Sequence, residues 1–183
     1  ALSLKYEGPV APRHQGGLVN RFRYKNWNFS FNVIYKAGNK IRLSDVYKLN
    51  NYNPEFSDFN SFSKEILNRW QMYGDENITN VPAIPAYKMW QQDYEGLNAY
   101  SLYNNSDVRV AKGDFVRLKD ISVSYTLPKE WLNNTSIQGL NFTFNVNNLW
   151  LIYSDKKLNG MDPEFFNSGG VALPTQRTYT FTL

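Results

Sequence analysis

The chain has 183 residues, a formal net charge of +4 and an aromatic content of 16%. Its lysines and arginines are scattered rather than clustered, which argues against a nucleic-acid-binding protein. No run approaches the roughly 18 to 20 apolar residues of a membrane-spanning helix, although β-barrels cross a bilayer with strands of about 9 to 11 residues. The many aromatic, Asn and Thr residues predict an all-β protein.

A hairpin is predicted after a proline-containing loop at the start of the chain. Residues 18–24 and 27–35 both alternate in side-chain character, and Lys25-Asn26 joins them. A period of two is typical of a strand whose two faces have different surroundings, and a two-residue connection is typical of an antiparallel hairpin.

A long segment without strand signal follows, over residues 38–112. Connections in compact domains usually have about 2 to 6 residues, so we expect this one to be functional or to form a subdomain. Apolar residues at helical spacing predict a short helix over residues 61–73. The aromatic side chains are candidate ligand or lid contacts, because aromatic rings stack on sugars and clamp peptides, and loop packing is the alternative. These side chains are Trp70, Tyr87, Trp90, Tyr94, Tyr100 and Tyr103.

Three more strands are predicted, at residues 113–128, 140–147 and 175–183. In the first of them Arg117 and Lys119 have the same parity as the apolar Ile121, so its first half is predicted to carry a bulge or to lie outside an apolar layer. Residues 149–151 break the alternation of the next strand, which predicts a bulge or an interfacial girdle there. The total is five antiparallel strands.

The two faces of these strands differ in an informative way. One face carries large aromatic residues, and the other carries Asn, Ser and Thr almost without charge. A soluble carbohydrate-binding β-sandwich is one interpretation. The wall of an outer-membrane barrel is the other, favoured because short turns alternate with long loops. Five strands are too few to close a barrel, so this interpretation makes the chain a segment of a larger one.

Catalysis is not predicted. The chain has one histidine, His14, in a loop, and no cysteine, so neither a Cys–His pair nor a His-rich metal site is available. The loop carboxylates are predicted to be solvated or to cap turns rather than to cleave glycosides. They are Asp75, Glu76, Asp155, Asp162 and Glu164. Residues 155–166 lack calcium ligands at the third and twelfth positions of an EF-hand. We therefore expect no metal and no cofactor.

Four segments, in order, resemble the C-terminal end of the SusC/RagA-type TonB-dependent transporters. GGLVNRFRYK resembles the family's hairpin strand, and GDFVRLKDISVSYTLP resembles its most recognisable strand. Asn147-Asn148-Leu149 matches the end of the next strand. Asp162-Pro163-Glu164 and Pro174-x-x-Arg177-x-Tyr179 match the last loop and strand. The four segments are residues 16–25, 113–128, 147–149 and, counted together, 162–164 with 174–179.

The resemblance implies a multi-pass barrel of twenty-two strands in the bacterial outer membrane, with residues 1–183 as its C-terminal part. It also implies an N-terminal plug and a TonB-contacting segment outside this chain, and a SusD-like surface lipoprotein as a lid. Glycans or peptides would be imported with energy delivered by TonB. Loops 38–112 and 154–174 would be extracellular, one of them containing the short helix, and turns 25–26 and 129–136 periplasmic.

The resemblance further implies a direction for each face. The side chains expected to face the lumen, where they meet the plug or the solute, are Asn28, Ser30, Asn32, Ser122, Ser124, Thr126, Asn141, Thr143, Asn145, Thr178 and Thr180. Those expected to face outer-membrane lipid are Trp27, Phe29, Phe31, Val33, Ile121, Val123, Tyr125, Phe142, Phe144 and Phe181.

Overall fold

The computed structural model describes residues 4–46, 63–84, 99–133, 135–167, 170–171 and 174–183. Within these ranges the chain is mostly antiparallel β-sheet with one α-helix, as predicted. None of the helical segments described there has the length and apolar character needed to span a membrane. The strands are β1 (His14–Tyr24), β2 (Trp27–Ala37), β3 (Lys40–Arg42), β4 (Val110–Lys112), β5 (Phe115–Thr126), β6 (Asn141–Ser154), β7 (Phe166–Asn167), β8 (Gly170–Val171) and β9 (Thr178–Thr182); helix α1 is Ala99–Asn105.

Five strands form one antiparallel sheet in the order β1-β2-β5-β6-β9. They are the five strands that the alternation predicts, and each lies beside its predecessor among the five. In the described part of the chain, β3 pairs with β4 and β7 pairs with β8 as separate two-stranded sheets. The turn between β1 and β2 has a residue in the left-handed region, Lys25, with φ of 51°.

The predicted bulge in the first half of β5 is confirmed. Asn32 and Val33 of β2 pair with Asp120 and Leu118, which leaves Lys119 without a partner on that side. One extra residue reverses the parity of a strand, because side chains alternate between faces with a period of two. Leu118 therefore lies on the same apolar face as its partner Val33. Without the extra residue, its parity would place it on the polar face.

A second register shift lies on β6, where the alternation also breaks. Leu118 and Asp120 pair with Trp150 and Asn147, so Asn148 and Leu149 together oppose Lys119. Asn148 has a φ of 53°, the left-handed conformation that asparagine tolerates better than most residues. The predicted break at 149–151 is thus a bulge.

The chain divides into two compact units. The loop unit consists of residues 1–5 and 42–110, and the sheet unit of residues 6–41 and 111–183. The loop unit has a core of its own, formed by Val46, Ile66, Val81 and Tyr100. The expectation that the long connection forms a subdomain is therefore confirmed.

The predicted helix over residues 61–73 is wrong. The described part of it contains only a 3-10 turn, Lys64–Asn68, which ends at Arg69 in an extended conformation. The Trp70 N–H then donates to the Val81 carbonyl at 3.0 Å, so the backbone pairs with a distant segment instead of continuing a helix. The one α-helix described, α1, forms where no helix was predicted.

Candidate functional site

The apolar face of the sheet unit is a continuous field of aromatic rings. Strand pairing places Trp27 beside Tyr125 and Phe29 beside Val123, and their neighbours follow the same rule. The Trp27 and Tyr125 ring centroids are 4.6 Å apart, and those of Phe142 and Phe181 are 6.2 Å apart. Phe181 remains 63% exposed and Phe22 of β1 remains 53% exposed. Among the described residues of this face Val146 is buried, and the others are half-buried or exposed.

The polar face of the sheet unit consists mainly of small uncharged side chains that form a hydrogen-bond network. The Asn28 Nδ2 atom donates to Ser124 Oγ at 3.4 Å, and Thr126 Oγ1 donates to Asn141 Oδ1 at 3.1 Å. Asn141 in turn donates to Thr143 at 3.1 Å. Cross-strand hydrogen bonds of this kind stabilise a sheet by a few tenths of a kcal/mol to about 1 kcal/mol each. The face is ordered by its own contacts.

Arg21, Arg23 and Asp120 also lie on the polar face. Charged groups gather there in the Arg117 cluster, formed by Lys36, Arg117, Asn148, Asp162 and Glu164. The Arg117 side chain is 5% exposed and forms ion pairs with Asp162 and Glu164. Its Nε lies 3.2 Å from Glu164 Oε2, without the geometry of a hydrogen bond. Lys36 pairs with Glu164 at 3.0 Å, and Asn148 Oδ1 accepts from Arg117 Nη1. The two cations and two carboxylates balance, as buried ions require.

Local sequence explains how the cluster assembles. The bulge at Lys119 turns Arg117 to the polar face, where it pairs with Ile34 of β2. Asp162 caps the 3-10 turn Pro163–Phe165, accepting from the Glu164 N–H at 3.0 Å. Asn148 donates from its amide to the Thr175 carbonyl. The last loop is therefore held against the sheet from both of its ends.

A pocket lies beside the Arg117 cluster, and we call it the loop pocket. Its volume is about 420 Å³, within the usual range of small-ligand sites. It is lined by Arg117, Asn148, Leu149, Leu151, Gly160, Met161, Asp162, Phe165, Phe166, Pro174, Thr175 and Arg177. Arg117 and Leu151 form a pair on the polar face of the sheet, so the pocket opens on that face.

Four of the loop carboxylates cap turns, as predicted, namely Asp75, Glu76, Asp155 and Asp162, whereas Glu164 pairs with Lys36 and Arg117. Asp155 accepts from the backbone N–H groups of Lys157 at 3.0 Å and Lys112 at 2.8 Å. Burial raises the pKa of Asp155, but these hydrogen bonds and the charges of the two lysines together lower it by more. The pKa of Asp155 therefore lies below its usual value. Hydrogen bonds from the Gln71 and Met72 N–H groups likewise lower the pKa of Asp75. Carboxylates that accept hydrogen bonds from backbone N–H groups in this way stabilise the turns that contain them.

The predicted ligand-contacting aromatics have different surroundings. Trp70 is 42% exposed, and Tyr103 is half-buried with the Arg109 guanidinium 5.4 Å from its ring centre. Tyr100 corrects the prediction, because it is 1% exposed in the core of the loop unit and its hydroxyl donates to the Pro82 carbonyl at 2.6 Å. Tyr87, Trp90 and Tyr94 lie outside the described residues.

Sequence reasoning missed the Arg117 cluster as a site. It recognised Arg117 by its parity and Asp162-Pro163-Glu164 as a turn, but it did not join them, because 45 residues separate Arg117 from Asp162. Lys36 and Asn148 were not predicted to take part. A buried arginine requires carboxylates nearby, and that requirement is the signal that links the two motifs.

Comparison with solved structures finds chains of the same fold. They include the RagAB peptide importer in its open-open state (20% identity, TM-score 0.62) and in its closed-closed state (21% identity, TM-score 0.66), and the RagAB peptide transporter (20% identity, TM-score 0.64). They cover 97%, 97% and 96% of this chain. No protein-family model and no curated protein matches. This chain spans 17% of the length of each importer chain, and at these identities the likeness shows that it has the fold of that part of the importer.

Proposed function

We propose that this chain is part of the barrel wall of a SusC/RagA-type transporter that imports peptides or glycans across the bacterial outer membrane. One observation carries the proposal: the sheet unit has an exposed aromatic face and, opposite it, a hydrogen-bonded face of small uncharged groups. Lipid on one side and a wet lumen on the other satisfy both faces, because lipid-facing and lumen-facing side chains alternate along a barrel strand. The shared fold with a peptide importer supports it.

The same observation disfavours the soluble β-sandwich. A sandwich covers the apolar face of one sheet with a second sheet about 10 Å away. In the described ranges the remaining strands, β3, β4, β7 and β8, have two or three residues each. They are too short to cover strands of 11 to 14 residues such as β1 and β6. Soluble monomers rarely leave an apolar patch of this extent exposed.

The rest of the proposed machinery lies outside this chain. Energy would reach the transporter through TonB and an N-terminal plug, and a SusD-like lipoprotein would cover the extracellular mouth above loops 38–112 and 154–174. The chain itself would carry out no chemistry, because Asp75, Asp155 and Asp162 are engaged by backbone N–H groups. Its part would be to supply wall, lumen lining and docking loops.

The wall assignment is tested with single cysteines introduced into this chain, which has none of its own, in an intact protein otherwise free of reactive cysteines. Phe144→Cys and Asn145→Cys are neighbours on β6 that lie on opposite faces. In the intact protein reconstituted in lipid, a bimane probe on Phe144→Cys should be quenched by spin-labelled lipid. Asn145→Cys should instead react with a membrane-impermeant maleimide. Val123→Cys and Ser122→Cys are the matched pair on β5.

Reaction of both cysteines with the water-soluble reagent would contradict a lipid-facing surface and favour the soluble module. Import is tested separately, by uptake of a fluorescent tripeptide into cells that carry the intact protein, with and without TonB. Uptake that does not depend on TonB would refute the proposed energy source. Uptake of an oligosaccharide but not of the peptide would identify glycans as the solute.

A further inference from the structure

We propose that the loop pocket binds the C-terminal end of a peptide, with the terminal α-carboxylate on Arg177 and an apolar terminal side chain among the pocket walls. The inference rests on the proposed import function and names the chemistry that one subsite of the lumen recognises. The inference is drawn from the shape of the pocket, from its charge balance and from the hydrogen-bond donors of the Arg177 guanidinium.

The walls of the loop pocket are mainly apolar. The side chains involved are Leu149, Leu151, Met161, Phe165, Phe166 and Pro174. A Cβ atom placed on Gly160, which also lines the pocket, would meet no atom within 4 Å, so this side is open space. About 420 Å³ is enough for a terminal residue of a peptide and part of the next. Burial of an aliphatic side chain there is favourable by about 25 cal/mol per Å² of apolar surface.

Charge balance singles out Arg177. In the Arg117 cluster the charges of Lys36 and Arg117 are matched by those of Asp162 and Glu164. Arg177 lines the same pocket and forms no ion pair within the described residues. Its guanidinium is always protonated and presents a planar fork of donors that matches a carboxylate in two hydrogen bonds. The pocket therefore carries one uncompensated positive charge.

Two other polar side chains of the pocket, Asn148 and Asp162, are held by contacts within the chain. The Asn148 amide donates to the Thr175 carbonyl and accepts from Arg117. Asp162 accepts from Arg117 and from the Glu164 N–H. The charge of Asp162 is matched by that of Arg117, whereas the charge of Arg177 is matched by no carboxylate among the described residues. A neutral sugar brings no charge to Arg177, whereas a peptide terminus brings the matching one.

The test measures binding of two probes to the intact protein in lipid nanodiscs. One is the tripeptide Ala-Ala-Leu with a fluorophore on its N-terminus and a free C-terminal carboxylate; the other is the same peptide as its C-terminal amide. Fluorescence anisotropy should show the acid binding about tenfold more tightly, the effect of one charge-assisted hydrogen-bonded contact. Arg177→Gln should reduce the affinity of the acid to that of the amide.

Controls separate this contact from general electrostatics and from misfolding. Arg23→Gln removes another exposed arginine on the polar face, opposite Asn28, and should leave the acid–amide ratio unchanged. In the unaltered protein, an Ala-Ala-Gly acid should bind less tightly than Ala-Ala-Leu, because it lacks the apolar side chain. This comparison needs no variant, so it does not depend on the folding of Arg177→Gln.

Three results would overturn the inference: equal affinities for acid and amide, an acid preference that survives Arg177→Gln, or binding of neither peptide because another segment of the protein occupies the pocket. Each of them leaves the proposed function intact when the fluorescent tripeptide is still imported. Failure of import itself would instead remove peptide transport, and with it the basis of the subsite.

Discussion

Replacement of Arg117 by methionine is expected to release the last loop from the sheet. The Arg117 guanidinium is 5% exposed, and its partners Asp162 and Glu164 are 12% and 24% exposed. Removing one member of a buried ion pair costs about 3–5 kcal/mol, because the remaining charge stays buried and unpaired. Glu164 keeps Lys36 at 3.0 Å, so we expect the lower end, about 3 kcal/mol. This corresponds to an increase on the order of 10² in the fraction of open loop.

The assay is cleavage by chymotrypsin at Phe165 and Phe166 in the intact protein. When opening and closing are fast relative to cleavage, the cleavage rate follows the open fraction, so Arg117→Met should be cleaved on the order of 10² faster. Lys119→Met, an exposed residue of the same strand, is the matched control and should behave as the unaltered protein does. Asp162→Asn added to Arg117→Met should restore part of the protection, because it removes the orphaned carboxylate. Equal cleavage of Arg117→Met and Lys119→Met would refute the role of the ion pairs.

Three further outcomes are expected. Asn148→Ala should be about 1 kcal/mol less stable than Asn148→Gly, because both lose the amide contacts and only alanine is strained at a φ of 53°; equal midpoints of thermal unfolding would contradict this. The pKa of Asp155 lies below its ordinary value of 3.8, so its stabilisation should be present above that pH and be lost as the pH falls through the folded-state pKa. Thermal unfolding from about pH 6 to about pH 3 should show this acid loss, and Asp155→Asn should lack it; an unchanged acid limb in Asp155→Asn would assign the loss to other groups. Tyr100→Phe should lower the stability of the loop unit by about 1 kcal/mol through loss of the bond to Pro82, measured by proteolysis of that unit. It should leave peptide affinity unchanged, and a weaker affinity would mean that Tyr100 contacts the ligand after all.

The sheet could be predicted because the pattern that identifies each strand lies within the strand's own sequence. Each strand residue shows by its own polarity which face it occupies, so alternation alone identifies all five strands and separates their faces. The sequence also shows that Arg117 and Ile121 have the same parity although one is charged and the other apolar. This conflict predicted a bulge in the first half of β5, and the structure has it at Lys119. The observed strands differ from the predicted ones only in their ends; β1, for example, begins at His14 rather than at residue 18.

The loop unit could not be predicted in the same way, because distant contacts determine its conformation. Ile66 and Trp70 have helical spacing, but Ile66 packs against Val81 and Tyr100, and the Trp70 N–H finds its acceptor at Val81. Tertiary pairing therefore overrides the local preference. The loop pocket is hidden for a similar reason, since its walls come from β5, β6, the last loop and the residues just before β9.

The bulge and the Arg117 cluster depend on each other. Without the extra residue at Lys119, Arg117 would share a face with Ile121 and the aromatic rings, away from Asp162 and Glu164. If that face meets lipid, as proposed, a charge there would cost about 2–4 kcal/mol at the midplane of a bilayer and less towards its edge, and the ion pairs would be lost as well. With the bulge, Phe115 lies between Lys36 and Arg117, whose charged groups approach its ring at 5.6 Å and 5.5 Å. The bulge therefore keeps Val116 and Leu118 on the apolar face while it places Arg117 on the polar face, where it holds the loop.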